Sequence, residues 1–383
     1  GFTLIVILTG LQSALITIPY TIYGNRLHGQ ARREYAGSTL SLFIVFAGFA
    51  ATGLGIGAIF YHASAPGQSL ARVISVLTCT IPLLLLRDFV RRYALAHMRL
   101  LTALAVDAAA TLLQISGLIL LVTTGHITAV FGHTVLGVSA LLASGAAIVI
   151  LRQEFKFTFG AWKTALYQHW RLGRWIVASH TTATVQTYCV HWLLAGLAGT
   201  AATGVYAAAL TLLLLANPLI IGIGNILEPR AANAFAEGGV AALRRVAWNA
   251  TLLLTATLGA YCAVLTFAGG SIVAWIYHQP AYAGEGMTVA LLALAALAGS
   301  IDLGPAHGLR VLERANFSFV ASIASLVVTV SVGWVLVLKW EILGGAGAML
   351  AGNVTGSVIR CAGFAYFTQR GNGNNGEHSG VIV

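Results

Sequence analysis

Residues 82–91 read PLLLLRDFVR, and residues 305–314 read PAHGLRVLER. Each stretch closes an apolar run with the same spacing, P-x4-R-x3-R: Pro82, Arg87 and Arg91 in one, Pro305, Arg310 and Arg314 in the other. A second pair of prolines, Pro19 and Pro218, stands near the end of two further apolar runs. Each is followed by Gly-Asn, as Gly24-Asn25 and Gly224-Asn225. Recurrence of this kind predicts two copies of one helical unit in a single chain.

The solvent for those units is lipid. Hydrophobic residues make up 58% of the 383, and charged residues only 8%. A water-soluble domain needs far more charge to cover its surface. The formal net charge of +10 does not indicate nucleic acid, because the basic residues lie in short loops between apolar runs, as in membrane proteins. The four cysteines, Cys79, Cys189, Cys262 and Cys361, sit far apart inside apolar stretches and have no metal-ligand spacing.

A helix crosses the hydrocarbon core in about 20 residues. That ruler finds eleven runs, at about 2–24, 38–61, 70–87, 103–124, 129–151, 175–197, 203–227, 247–268, 286–309, 316–338 and 344–367. Alternate loops differ in basic content. One set, with the C-terminal tail, carries eighteen of the 21 Lys and Arg, including Arg32, Arg33, Arg92, Arg99, Arg244 and Arg245. The opposite set holds Arg72 and Lys339, and Arg360 falls inside a run. The positive-inside rule therefore places the basic loops and the C-terminus in the cytoplasm. Gly1 then lies on the outer side, so a twelfth helix is expected ahead of it. The expected fold is an all-α polytopic membrane protein of two six-helix lobes in parallel pseudo-repeat, eleven of twelve spans being present. Two such copies are the usual architecture of an alternating-access transporter.

Residues 1–151 form the first lobe in this scheme and 175–369 the second. Between them, Phe155, Phe159, Trp162, Leu166 and Trp170 recur among Lys156, Lys163 and Arg171. That pattern predicts an amphipathic cytoplasmic helix over 152–174, lying in the headgroup layer. The tail at 370–383 is polar and Gly/Asn-rich and is expected to be disordered. Trp275, Tyr277 and Tyr282 form an interfacial aromatic cluster on the longest outer loop.

Ionisable groups inside a span cost about 2.5–3.5 kcal/mol each on insertion scales, so each is a candidate site. Asp107 stands near a cytoplasmic end with Gln114 on the same face. It reads either as a helix-end salt bridge to Arg99 or Arg92, or as an ion-coupling acid. Asp302 lies beside Gly299, Gly304 and Pro305. It either bonds backbone groups freed by that break or couples ions. Arg360 follows Asn353 and Ser357 at helical spacing, ten residues from the span's end, about 15 Å of helix rise. Its depth predicts a water-filled cavity and an anionic ligand rather than snorkelling to the surface. His180, Gln186 and His191 read either as hydrogen-bonded core residues or as a polar stripe lining a lumen. No nucleotide-binding loop, metalloprotease motif or nucleophile elbow occurs, so neither catalysis nor a cofactor is predicted.

Several stretches carry a family resemblance: RDFVRRYALAHMR (87–99) running into AVDAAATLLQ (105–114), WRLGRW (170–175), TGVYAAA (203–209) and LRVLERAN (309–316). In these the chain resembles the multidrug/oligosaccharidyl-lipid/polysaccharide (MOP) exporter superfamily, and within it the O-antigen (Wzx-type) flippases of polysaccharide biosynthesis. That resemblance implies a two-lobed bundle in the bacterial inner membrane, turning a polyprenyl-diphosphate-linked oligosaccharide between leaflets. Its partners would be the lipid-linked oligosaccharide, membrane lipids and a polysaccharide polymerase. Arg360 would hold the diphosphate, with Arg33 and Arg87 at the cytoplasmic mouth. His180, Gln186, His191, Asn353 and Gln114 would line the cavity. The other reading is a cation-coupled multidrug or metabolite exporter of the same superfamily, which needs an acid such as Asp302 or Asp107.

Overall fold

The computed structural model describes residues 2–64, 69–158, 162–277 and 284–373. Regular structure there is helical: α1 (Phe2–Gln12), a π-turn (Ser13–Thr17), α2 (Ile18–Gly24), α3 (Gly29–Ser64), α4 (Ser69–Ala96), α5 (Leu100–Thr123) and α6 (Ala129–Leu151). A short 3-10 turn follows, then α7 (Trp162–Leu197), α8 (Thr200–Leu214), α9 (Asn217–Tyr277), α10 (Gly286–Ile301), α11 (Leu303–Val311) and α12 (Ala315–Gly373). Eight helical stretches among the described residues are long and apolar enough to cross a membrane. All eleven apolar runs fall on helices.

Two long helices are each a pair of crossings joined at a turn. Helix α9 bends at Gly239, whose φ of 63° is the left-handed conformation that costs glycine nothing. Beyond it the two arms face each other, with Leu227 and Ala250 walling one groove. Helix α12 breaks at Trp340 and Glu341. Its arms then run back along each other, so that a methyl on Gly333 would meet the Ala348 side chain at 3.2 Å.

Proline shapes the interior. It has no N–H to give the carbonyl four residues back, and lipid offers no water in its place. The chain therefore supplies donors from other helices. Pro19 leaves the Leu15 carbonyl free, the helix widens into the π-turn just ahead, and His169 Nδ1 lies 3.0 Å from that oxygen. Pro305 frees the Ile301 carbonyl, which the Cys361 thiol approaches at 3.9 Å. At the C-terminal end of α8, among the carbonyls a helix end leaves over, Tyr261 donates to the Leu212 carbonyl at 2.5 Å.

The helices group into two units, Gly1–Arg174 and Trp175–Val383, the division falling inside α7. The core of the first unit is built by Phe43, Leu77, Ile81, Leu85 and Phe89. In the second, Val190 and Leu194 of α7 pack with Tyr206, Leu258, Leu292 and Ala346.

The predicted amphipathic linker is not a separate helix. Residues 155–158 are non-helical, and from Trp162 the chain runs as one helix through Leu197. The non-helical piece is pinned to α3: the Lys156 amide donates to the Arg33 carbonyl at 3.0 Å, directly over side-chain-free Gly37. Phe155 packs its ring, tilted, against Tyr93 at 4.8 Å instead of following a helical stripe, and Phe159 lies outside the described residues. The start of the tail, through Gly373, continues α12, and the remainder of the predicted disordered segment lies outside the described residues. So does Tyr282 of the aromatic cluster, whereas Trp275 is exposed.

Candidate functional site

In the second unit, a polar seam runs down the later arm of α12, where Asn353, Ser357 and Arg360 share one face. Their partners come from α7, from the broken α10–α11 helix and from the first arm of α12. Asn353 donates to the Ala295 carbonyl at 2.9 Å and accepts from Gln186 Nε2 at 3.1 Å. The Ser325 hydroxyl lies 2.6 Å from the Gly352 carbonyl and 2.9 Å from Gln186 Oε1, two acceptors that share its one proton. One turn further on, Ser357 donates to the Ala298 carbonyl at 2.7 Å, one of the carbonyls left over where α10 ends.

The seam ends in an ion pair. Arg360 Nη1 bonds Asp302 Oδ2, and Arg360 Nη2 donates to Ser322 Oγ at 2.8 Å. The Asp302 side chain is 8% exposed and that of Arg360 19%. Asp302 sits between α10 and α11, where Pro305 interrupts the helix. The break thus presents a carboxylate to Arg360 while the Ala306 amide takes the Asp302 backbone carbonyl at 2.7 Å. Two turns on, the Glu228 carboxylate from α9 accepts from Arg310 at 3.2 Å and lies 2.8 Å from His307 Nδ1. The Glu228 and His307 side chains are each 9% exposed, and Glu228 Oε1 has no hydrogen-bond partner among the described residues.

Arg360, expected as a lone cavity cation, is therefore charge-paired. Depth alone says that such a group needs compensation, and here a carboxylate supplies it. The Asp302 side chain meets the guanidinium and makes no cap bond to the first amides of α11. Asp107 is salt-bridged, but to Arg87 at 2.9 Å and Arg91 at 3.6 Å rather than to Arg99 or Arg92. Arg92 instead holds Asp88 at 2.8 Å, and Arg99 holds Glu154 at 2.5 Å. Arg87 is bound in this way, whereas Arg33 is exposed. Gln114 is half-buried on α5.

The three polar residues of α7 do not form one stripe. Six residues turn a helix by about 600° and eleven by about 1100°, so Gln186 points away from the face that His180 and His191 share. Gln186 is buried in the seam, His180 is exposed, and His191 Nδ1 lies 3.0 Å from the Thr187 carbonyl of its own helix.

Three partners escaped the sequence reading: Ser322, Ser325 and Glu228. For the serines a signal existed. Ser318, Ser322, Ser325 and Thr329 recur at helical spacing through an apolar run, and all four are buried.

The first unit closes its basic end with rings. Tyr20 stacks between Tyr35 at 5.9 Å and Tyr93 at 5.3 Å, and its hydroxyl lies 2.8 Å from His97 Nε2. Burial, reinforced by the Arg32 charge, holds the His97 pKa down to about 4, so the ring that shares this hydrogen bond with Tyr20 is neutral. Tyr93 in turn donates to Glu154 at 2.8 Å.

Solved structures share this helical arrangement. A single-residue mutant of a MATE protein matches with a TM-score of 0.83 at 13% identity, covering 97% of this chain and 86% of that one. The fold is that of the MATE transporters of the MOP superfamily. An outward-facing multidrug resistance MATE transporter matches with a TM-score of 0.78 at 13% identity, over 97% of this chain and 87% of that chain. A MOP superfamily transporter from Pyrococcus furiosus Vc1 (DSM3638) gives 0.78 at 14% identity, over 97% and 86%. The second and third of these neighbours are described as transporters. No protein-family model and no curated protein matches the chain.

Proposed function

We propose that this chain is a cation-coupled exporter of small amphipathic molecules, with Asp302 as the coupling acid. The observation that carries this reading is a buried carboxylate at a helix break, held by Arg360 and flanked by Ser322 and Ser357. A carboxylate in a nearly dry site can keep its arginine or accept a proton or metal cation. Those states differ in which helix Asp302 grips, which gives an element with two arrangements for a cation to bias. The MATE-type fold supports the transport class.

Flipping of a lipid-linked oligosaccharide, the reading drawn from the Wzx-type resemblance, calls for free cations to hold a diphosphate. Arg360 and Arg87 are both committed to carboxylates, so that reading rests on exposed Arg33. Export takes precedence for that reason.

The test is efflux from proteoliposomes loaded with a fluorescent cationic dye under an imposed proton or sodium gradient. The chain should extrude dye only with the gradient. The double variant Asp302→Asn/Arg360→Gln, which neutralises both partners, should stay folded and lose gradient-driven efflux. Undiminished efflux by that variant would remove Asp302 from the mechanism, and absence of efflux by the unaltered chain would remove the export reading.

A further inference from the structure

A groove of about 330 Å³ lies between the two arms of α9, within the second unit and separate from the ion-pair seam. Its walls change character along their length. On the first arm Ile223 and Ile226 lead to Arg230, and on the second Leu253 leads to Asn249 and Val246. Arg245 stands one turn before Asn249, on the same side of its arm. The end nearest the Gly239 turn is thus cationic and the other end wholly apolar. From Arg230 back to Ile223 is about 10 Å of helix, and from Arg245 to Leu253 about 12 Å. Arg230 is the cation in the groove's own lining, and Arg245 stands just outside it, one turn beyond the Asn249 end of the second wall.

We propose that this groove binds an anionic phospholipid, with its phosphate between Arg230 and Arg245 and its acyl chain along Ile223, Ile226 and Leu253. The apolar walls belong to a stretch, Asn217–Ile276, long and apolar enough to cross a membrane. What meets them there is lipid rather than a soluble protein. Leu253 is 60% and Ile226 38% exposed, so the walls stand open to that lipid. The charged end selects among lipids: paired guanidinium groups grip a phosphate bidentately, and a lipid with a net negative headgroup gains where a zwitterionic one does not. Two acids lie close in sequence. Glu228 turns its carboxylate to His307 and Arg310 instead, and Glu237 is exposed beside the turn, beyond Arg230. Neither lines the groove.

The experiment is native mass spectrometry of the full chain in nonionic detergent, with phosphatidylglycerol or phosphatidylcholine added at equal concentration. One phosphatidylglycerol should stay bound under activation that strips phosphatidylcholine, with an affinity advantage of roughly tenfold or more that shrinks as salt is raised. Arg230→Ala/Arg245→Ala should abolish that advantage. Leu253→Trp, which fills the apolar end and leaves both charges, should lose the bound lipid as well. Thermal unfolding in the same detergent verifies that both variants are folded. Equal retention of the two lipids would overturn the proposal, as would an unchanged advantage in the arginine variant. Retention by Leu253→Trp would reduce the binding to scattered surface charge and overturn it too. None of these outcomes depends on what the chain transports.

Discussion

The two P-x4-R-x3-R segments reach opposite solutions from the same residues. In the first unit, Arg87 and Arg91 reach Asp107 near the start of the next helix, where the acid is 37% exposed. In the second, Arg310 reaches Glu228, which is 9% exposed and also faces His307. A further buried pair, Asp302 with Arg360, stands only in the second unit among the described residues. The first unit pairs its charges within or between neighbouring helix ends, with Asp88 held by Arg91 and Arg92 of its own helix, and seals its basic end with tyrosines. The second carries charge into the span. An exposed pair contributes about 0–1 kcal/mol, whereas removing one partner of a buried pair costs several. The contrast therefore marks where the fold keeps groups able to change partners, and it can be broken experimentally.

The largest effect is expected at Arg360. Arg360→Met strands the Asp302 carboxylate in a nearly dry site and should cost about 3–5 kcal/mol, read from unfolding in detergent. Asp302→Asn/Arg360→Gln should recover most of that loss, because no charge is left uncompensated. A double variant no more stable than the single one would mean that the pair is not the source of the loss.

Next in size is Gly352→Ala. A methyl there would run into the Thr329 hydroxyl and come within 3.0 Å of Gln186 Nε2 and 2.9 Å of the Ser325 carbonyl. The helix arms would have to part, at about 1–3 kcal/mol for overpacking of this kind. Gly48 has open space around it in the first unit, and Gly48→Ala should cost nothing measurable. Equal losses at the two glycines would show that the seam is not closely packed.

These pairings show why part of the molecule was legible and part was not. Apolar length and the asymmetry of basic loops are properties of contiguous sequence, so all eleven runs landed on helices. The break at Asp302 was legible for the same reason, since Gly299, Gly304 and Pro305 sit beside it. The partner of Arg360 was not: 58 residues separate it from Asp302, and spacing within one helix says nothing of which neighbour it meets. The α7 stripe failed through angular arithmetic that was available, and the Ser322/Ser325 stripe was available too. Of residues 152–174, 162–174 are helical as expected, whereas 155–158 are not, their backbone being bonded from Lys156 to Arg33 instead.

The first unit adds an effect that depends on pH. His97 titrates near 4 in the folded chain and about 6.5 when unfolded, so between those values the unfolded chain binds more protons. Its contribution is complete above pH 6.5 and is lost as pH falls toward 4, by at most about 1.4 kcal/mol per pH unit. His97→Gln, which keeps a hydrogen-bonding partner for Tyr20, should make that acid limb shallower, the remainder coming in part from buried His169, which is held down to about 4 as well. An unaltered limb would assign the acid loss elsewhere.

The smallest expected change is Asp107→Asn. With a third of its side chain exposed, Asp107 is partly solvated, and Arg91 has Asp88 as a second partner at 3.4 Å. Losing the carboxylate should therefore cost about 0.2–1 kcal/mol, and less at high salt. In the efflux assay the variant should keep gradient-driven transport, unlike Asp302→Asn/Arg360→Gln. Loss of coupling on Asp107→Asn without loss of stability would reverse the comparison. The rim acid would then do the work assigned to the buried one, and the depth of a carboxylate would no longer distinguish the two units.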